Sequence, residues 1–156
     1  MDKFNFEQVK TNLERSRHEL LDKLSAQAQS YFVMSFKNQG FDGKDWKNVQ
    51  RRIEGTKAFK YPKKRGLQRR TSPILVGAGF GKRGGSLSLA VSTMARGSNR
   101  QMTADSFRMV VDVPYAGYLN EGTDKMVKRQ FVGQTAELTA MQNDKINEVI
   151  SRIWNT

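Results

Sequence analysis

The sequence predicts an α+β fold in which a long N-terminal helix and a C-terminal helix pack on one face of a small antiparallel sheet of three or four strands. Three observations predict it: apolar residues spaced by three, four and seven through the first 38 positions, two-residue alternation in the middle of the chain, and a renewed helical stripe after residue 135. With 156 residues, the chain is read as a single domain with a modest core, since only 37% of its residues are hydrophobic.

The first helix is expected over 6–38. Asn5 is placed to cap it, with Gln8 three residues later in the reciprocal position. Phe6, Val9, Leu13, Leu20, Leu24, Ala28, Tyr31, Phe32 and Phe36 form its stripe, which Arg17 interrupts with an aliphatic stem that can lie along it. Asn38-Gln39-Gly40 supplies a stop. Such a helix would be about 50 Å long, so a break near Ser25 or an end that reaches a neighbour is expected.

A turn at Asp42-Gly43 then presents Trp46, and 44–72 reads as a basic loop, extended over 57–70. Strands are expected within 73–119. "SPILVGAGF" begins as one, Leu87, Leu89 and Val91 alternate with serines in another, and Phe107, Met109, Val111 and Val113 give the clearest alternation. "GKRGG" and "ARGSNRQMTAD" are the turns between them, and Pro114 ends the last strand or marks it as an edge. The segment 120–134 is read as an exposed docking loop. The closing helix, 135–154, carries Leu138, Met141, Ile146, Val149, Ile150 and Ile153 on its face.

Charge is distributed unevenly. The formal net charge is +12, yet 1–43 carries six basic and six acidic side chains, 84–156 carries eight and seven, and 44–83 carries thirteen and two. A local polyanion or an acidic neighbour is the expected counterpart of that middle segment. The basic residues singled out in it are Arg51, Arg52, Lys57, Lys60, Lys63, Lys64, Arg65, Arg69, Arg70, Lys82 and Arg83, with Phe59 and Tyr61 interleaved. They could track a phosphate backbone without reading sequence, and the two rings could stack on bases of a single strand. A solvated or partner-facing loop would have the same composition.

Catalytic chemistry finds little to rest on. There is no cysteine, which excludes a disulfide framework, thiolate zinc and a cysteine nucleophile. His18, the one histidine, lies off the apolar stripe without partners for a triad or metal site. Gly81-Lys82 is followed by Arg83 and preceded five positions earlier by Val76, so the phosphate-loop pattern fails twice. Gly79, Gly81 and Gly84 satisfy G-x-G-x-x-G, but the residues that follow alternate like a strand rather than opening a helix. A non-enzymatic protein without cofactor or metal is expected. Neither a signal peptide nor a membrane span is visible, and no membrane partner is expected.

The segment 113–135, "VPYAGYLNEGTDKMVKRQFVGQT", sets two tyrosines, a methionine and several basic residues around one Glu-Gly-Thr turn. Trp46, Tyr115, Tyr118 and Phe131 could serve as core or as contact, since Tyr, Met and Arg are enriched in interfaces. The expected reading packs Tyr115 and Phe131 inward and turns 121–128 toward a neighbouring subunit. The interface residues are then Tyr115, Tyr118, Glu121, Thr123, Asp124, Lys125, Met126, Lys128 and Arg129.

The longer stretch "VDVPYAGYLNEGTDKMVKRQFVGQTAEL" resembles the C-terminal signature of tailed-bacteriophage tail-completion proteins, which include minor tail components of siphophages and virion-morphogenesis proteins of Mu-type phages. Tyr115-Ala116, Glu121-Gly122-Thr123, Met126 and Arg129-Gln130-Phe131 follow the family's order, with Gln130 where the family usually has proline. "SFKNQGFDGKDW" and "PILVGAG" resemble its earlier segments, whereas "FGKRGG" replaces its Leu-Arg after the central glycine. The resemblance implies a structural protein of the phage neck that forms a ring, a hexamer being the number it points to. Its implied partners are further copies of itself, the head connector, and a tail terminator or tail tube protein. Genome DNA would pass non-specifically through the ring. Its place would be the virion, after assembly in the host cytoplasm. A small basic nucleic-acid-binding protein is the competing expectation.

Overall fold

The computed structural model describes residues 5–60, 73–75, 87–93 and 99–154. It is an α+β structure with a long N-terminal helix, a C-terminal helix and two separate two-stranded antiparallel sheets. Helix α1 spans Phe6–Asn38, followed by β1 (Gly40–Phe41), β2 (Lys44–Asp45), a 3-10 turn (Gln50–Arg52) and α2 (Lys57–Lys60). After α3 (Leu87–Thr93) come β3 (Arg100–Met102), β4 (Phe107–Met109), α4 (Ala116–Glu121) and α5 (Ala136–Trp154).

The expected sheet of three or four strands is therefore corrected. Among the described residues, each strand is two or three residues long and pairs only with its neighbour in sequence, β1 with β2 and β3 with β4. The strand expected at Leu87, Leu89 and Val91 is helix α3. Leu87 and Val91 are both fully buried, and their spacing of four suits a helix face as well as alternation suits a strand. Strand β3 lies inside the stretch read as a polar loop. The strand read through Val113 stops at Met109, and the chain beyond Pro114 enters α4. Lys57–Lys60, read as extended, is one short helix. The glycine-rich turn and most of the residues read as the first strand lie outside the described residues.

The chain divides into two compact units, one assembled from three stretches of sequence and the other from two. The first comprises Met1–Tyr31, Ser92–Val110 and Gln134–Thr156, and the second Phe32–Val91 and Val111–Gly133, so α1 contributes to both. No break occurs at Ser25: α1 runs 33 residues without interruption. Asn5 Oδ1 accepts from Gln8 N–H at 3.1 Å, the expected cap.

In the first unit α1 and α5 run antiparallel. Tyr31 Oη donates to Glu137 Oε2 at 3.1 Å, and Gln27 Nε2 donates to the Met141 carbonyl at 3.4 Å. Thr135 caps α5, its Oγ1 accepting from Leu138 N–H at 3.0 Å. Leu21, Leu24 and Ala28 are buried on α1, and Leu138, Val149 and Ile153 on α5. The β3–β4 hairpin is fastened to α1 by two ion pairs. Arg100 Nη1 lies 2.6 Å from Asp22 Oδ1, and Arg17 Nη2 lies 2.5 Å from Asp105 Oδ1. An isolated two-stranded hairpin is marginal in water, so these ties and its half-buried strand residues hold it in place.

The second unit has an aromatic core. Phe36 packs edge-on to Trp46 at 5.5 Å between centroids and tilted to Phe131 at 5.6 Å, while Phe32 lies 6.3 Å from Phe41. Trp46 is delivered by the β1–β2 hairpin. Its two turn residues, Asp42 (φ 53) and Gly43 (φ 70), both take the left-handed conformation of a primed turn. Helix α1 is followed at once by Gln39 (φ 56), whose side-chain amide is spent on Ile74 and Phe36. Its Oε1 accepts from Ile74 N–H, and its Nε2 donates to the carbonyls of Ile74 at 3.3 Å and Phe36 at 2.6 Å.

Candidate interaction surface

The segment 113–133 is built as a clasp within the second unit. Val113 is buried, and Ala116 N–H donates to its carbonyl at 2.9 Å to start α4. Ala116 and Leu119 turn inward from α4, whereas Tyr118 stays 61% exposed. The helix stops at Gly122 (φ 79), whose N–H donates to the Tyr118 carbonyl at 3.0 Å. Glycine is needed there twice over: the dihedral disfavours a side chain, and an added Cβ would lie 3.0 Å from both Cβ and N of Lys128.

Two ties close the base of the loop. Arg129 N–H donates to the Leu119 carbonyl at 2.8 Å. Asn120 Oδ1 accepts from both Phe131 N–H and Val132 N–H, each at 3.1 Å. At the tip, Thr123 and Met126 exchange backbone bonds of 2.9 and 3.1 Å, and Thr123 Oγ1 accepts from the amides of Lys125 and Met126. The tip is thus exposed and internally bonded. Glu121, Thr123, Asp124, Lys125, Met126, Val127 and Lys128 all face solvent, with Met126 38% and Val127 46% exposed.

The clasp is joined to the start of the basic segment. The Arg129 guanidinium donates through Nε and Nη2 to the Lys47 carbonyl at 3.2 and 3.1 Å, and Trp46 Nε1 donates to the Gln130 carbonyl at 2.7 Å. Partial burial holds the Arg129 proton affinity below the ordinary arginine value and raises that of the Tyr115 phenol above its own. Both shifts reflect lost hydration of a charged form and carry no catalytic pairing.

The site residues expected from sequence fall into three sets. Tyr118, Glu121, Thr123, Asp124, Lys125, Met126 and Lys128 are exposed on the clasp, while Tyr115 and Arg129 are half-buried at its base. Arg51 and Arg52 are half-buried in the 3-10 turn, with Arg51 Nη2 donating to the Pro73 carbonyl at 3.3 Å, and Lys57 and Lys60 are exposed on α2. Lys63, Lys64, Arg65, Arg69, Arg70, Lys82 and Arg83 lie outside the described residues. The Arg129 guanidinium, one of the expected interface groups, also bonds internally to the Lys47 carbonyl. Sequence reasoning missed Asn120, whose partners lie eleven and twelve positions away, outside the reach of any local signal.

Among the described residues, no group of three or more His, Cys, Asp or Glu is placed to hold a metal ion. No helix among them is long and apolar enough to cross a membrane. Comparison of the chain with protein-family models, with curated proteins and with solved structures finds no match.

Proposed function

We propose that this chain is a structural virion protein of the phage neck, a tail-completion or head–tail joining component that assembles as a ring around the DNA channel. The observation that carries the reading is the clasp. A loop whose base is locked by Asn120 and Arg129 and whose tip exposes Met126, Val127 and charged residues of both signs is preorganised for a protein partner. The motif resemblance supports the same reading, as the clasp coincides with its longest stretch. Native mass spectrometry and electron microscopy test it. A monodisperse ring is expected, and a chain that stays monomeric at every concentration, even with connector and tail proteins present, would refute it.

A second reading, a small basic nucleic-acid-binding protein without catalytic activity, is favoured by the charge of the second unit, seventeen basic against six acidic residues. It predicts tight binding of free DNA or RNA that weakens steeply with salt. Joint replacement of Lys63, Lys64 and Arg65 by glutamate should abolish that binding, and unchanged affinity would reject this reading.

A further inference from the structure

We infer that the β1–β2 turn is a modification site, where the Asp42–Gly43 peptide bond rearranges spontaneously to an isoaspartyl link and so unfastens Trp46 from the clasp. Asp42-Gly43 is the one place in the chain where an aspartate or asparagine precedes glycine. Both residues are exposed, and a Cβ added at Gly43 would meet nothing within 4 Å, so the Gly43 nitrogen is unshielded beside the Asp42 carboxyl. Among the described residues, no hydrogen bond or ion pair holds that carboxyl, and none holds the Gly43 N–H. Asp105-Ser106, where a small residue also follows an aspartate, is the contrast. There the carboxylate lies 2.5 Å from Arg17 Nη2, and the Ser106 N–H donates to Thr103 Oγ1 at 3.0 Å. Both reacting groups are engaged at 105, and neither is at 42.

The chemistry needs only solvent. In the uncharged acid form of Asp42, the Gly43 nitrogen adds to Cγ. The Oδ hydroxyl leaves with the amide proton as water, and a five-membered imide closes. Water then adds to one of the two imide carbonyls. Cleavage between nitrogen and Cγ restores aspartate. Cleavage between nitrogen and the former main-chain carbonyl carbon leaves Gly43 joined through Cβ and Cγ, with a free α-carboxylate. Ring closure requires the turn to open, and a hairpin of two two-residue strands, with β2 exposed, has little to keep it shut.

The product carries one extra backbone carbon in a two-residue turn. Asp42 (φ 53) and Gly43 (φ 70) close the pairing of Phe41 with Lys44 and of Gly40 with Asp45. That pairing is tight, since a Cβ on Gly40 would lie 2.6 Å from the Lys44 carbonyl oxygen. A longer link cannot keep this register. Trp46 follows directly, its N–H donating to the Gln39 carbonyl at 2.8 Å and its Nε1 to the Gln130 carbonyl at 2.7 Å. Losing the turn releases both bonds, and with them the clasp's hold on the indole.

The test uses the full chain held in mildly acidic buffer, where the acid form of Asp42 is populated. Peptide mapping with fragmentation of N–Cα bonds, and methyl transfer by an isoaspartyl methyltransferase, locate the product. Isoaspartate is expected at 42 at least about tenfold faster than at 105. In a Trp154→Phe background, where Trp46 is the one remaining tryptophan, emission should shift to the red as isoaspartate accumulates. Asp42→Gly in that background gives the turn two glycines and should hold its emission through the same incubation. Isoaspartate at 105 as fast as at 42 would overturn the site, as would none at 42 while a free peptide of residues 38–47 isomerises. An equal red shift in Asp42→Gly would overturn the link to Trp46.

Discussion

One unit of this chain packs leucine, alanine, valine and isoleucine between α1 and α5 and carries ten basic against nine acidic side chains. The other packs Phe32, Phe36, Phe41, Trp46 and Phe131 together and carries seventeen against six. The difference separates two kinds of work. A near-neutral unit with ion pairs of both signs carries little net field of its own. A unit at a net +11 repels its own copies and attracts anions, so it must keep its shape against internal charge. Its remedy is visible in the bonding, with backbone carbonyls of Lys47, Gln130 and Pro73 accepting from Arg129, Trp46 and Arg51.

The largest test of the comparison is Phe131→Ala. Phe131 is 1% exposed at the centre of the aromatic cluster, so its loss should cost about 3–5 kcal/mol. Hydrogen exchange should show protection falling over 32–60 and 111–133 before it falls over 136–154. Equal loss everywhere would mean the units unfold together and the contrast is only compositional. Next comes Asn120→Ala, which leaves the amides of Phe131 and Val132 without their acceptor and should cost about 1–3 kcal/mol. Asn120→Asp keeps the acceptor and should restore most of it, as chemical denaturation would measure.

In the neutral unit the effects are smaller. Asp22→Asn removes a pair whose carboxylate is 44% exposed, so a loss below about 1 kcal/mol is expected. Salt at about 0.5 M should shrink that loss by screening the pair in the wild type. The smallest effect is on pH. Lys145, through a hydrogen bond and its charge, holds the Glu148 carboxyl below its ordinary value, and Lys23 does the same for Glu19. A lowered folded-state value contributes stability above the unfolded value, and that contribution is lost as pH falls through the carboxylate range. Both groups are fully exposed, so acid should trim helicity only slightly, and Glu148→Gln should remove part of that dependence.

The helices were legible because their signals are local and long. Asn5 and Thr135 cap them, the stripe between Leu21 and Phe36 is dense, and Asp42-Gly43 marks its hairpin. The sheet was misjudged because seven residues of alternation at 87–93 fit two periods, and because β3 is written in Arg-Gln-Met rather than in branched residues. Exposure of the clasp tip followed from its composition. What closes its base did not, since Asn120 acts on residues eleven and twelve positions away. The internal bond of Arg129 is hidden for the same reason: its acceptor is a backbone carbonyl 82 residues distant.

Gln39 carries a last consequence, and it concerns the age of a sample. One primary amide gives Ile74 both a donor and an acceptor and sends a second bond to Phe36, where a peptide group would otherwise be needed. Hydrolysis of that amide would set a carboxylate oxygen against two carbonyl oxygens and leave neither a donor. A change of one mass unit at position 39 would then be a structural event, and the time a preparation has spent in warm alkaline buffer would become a variable of its fold.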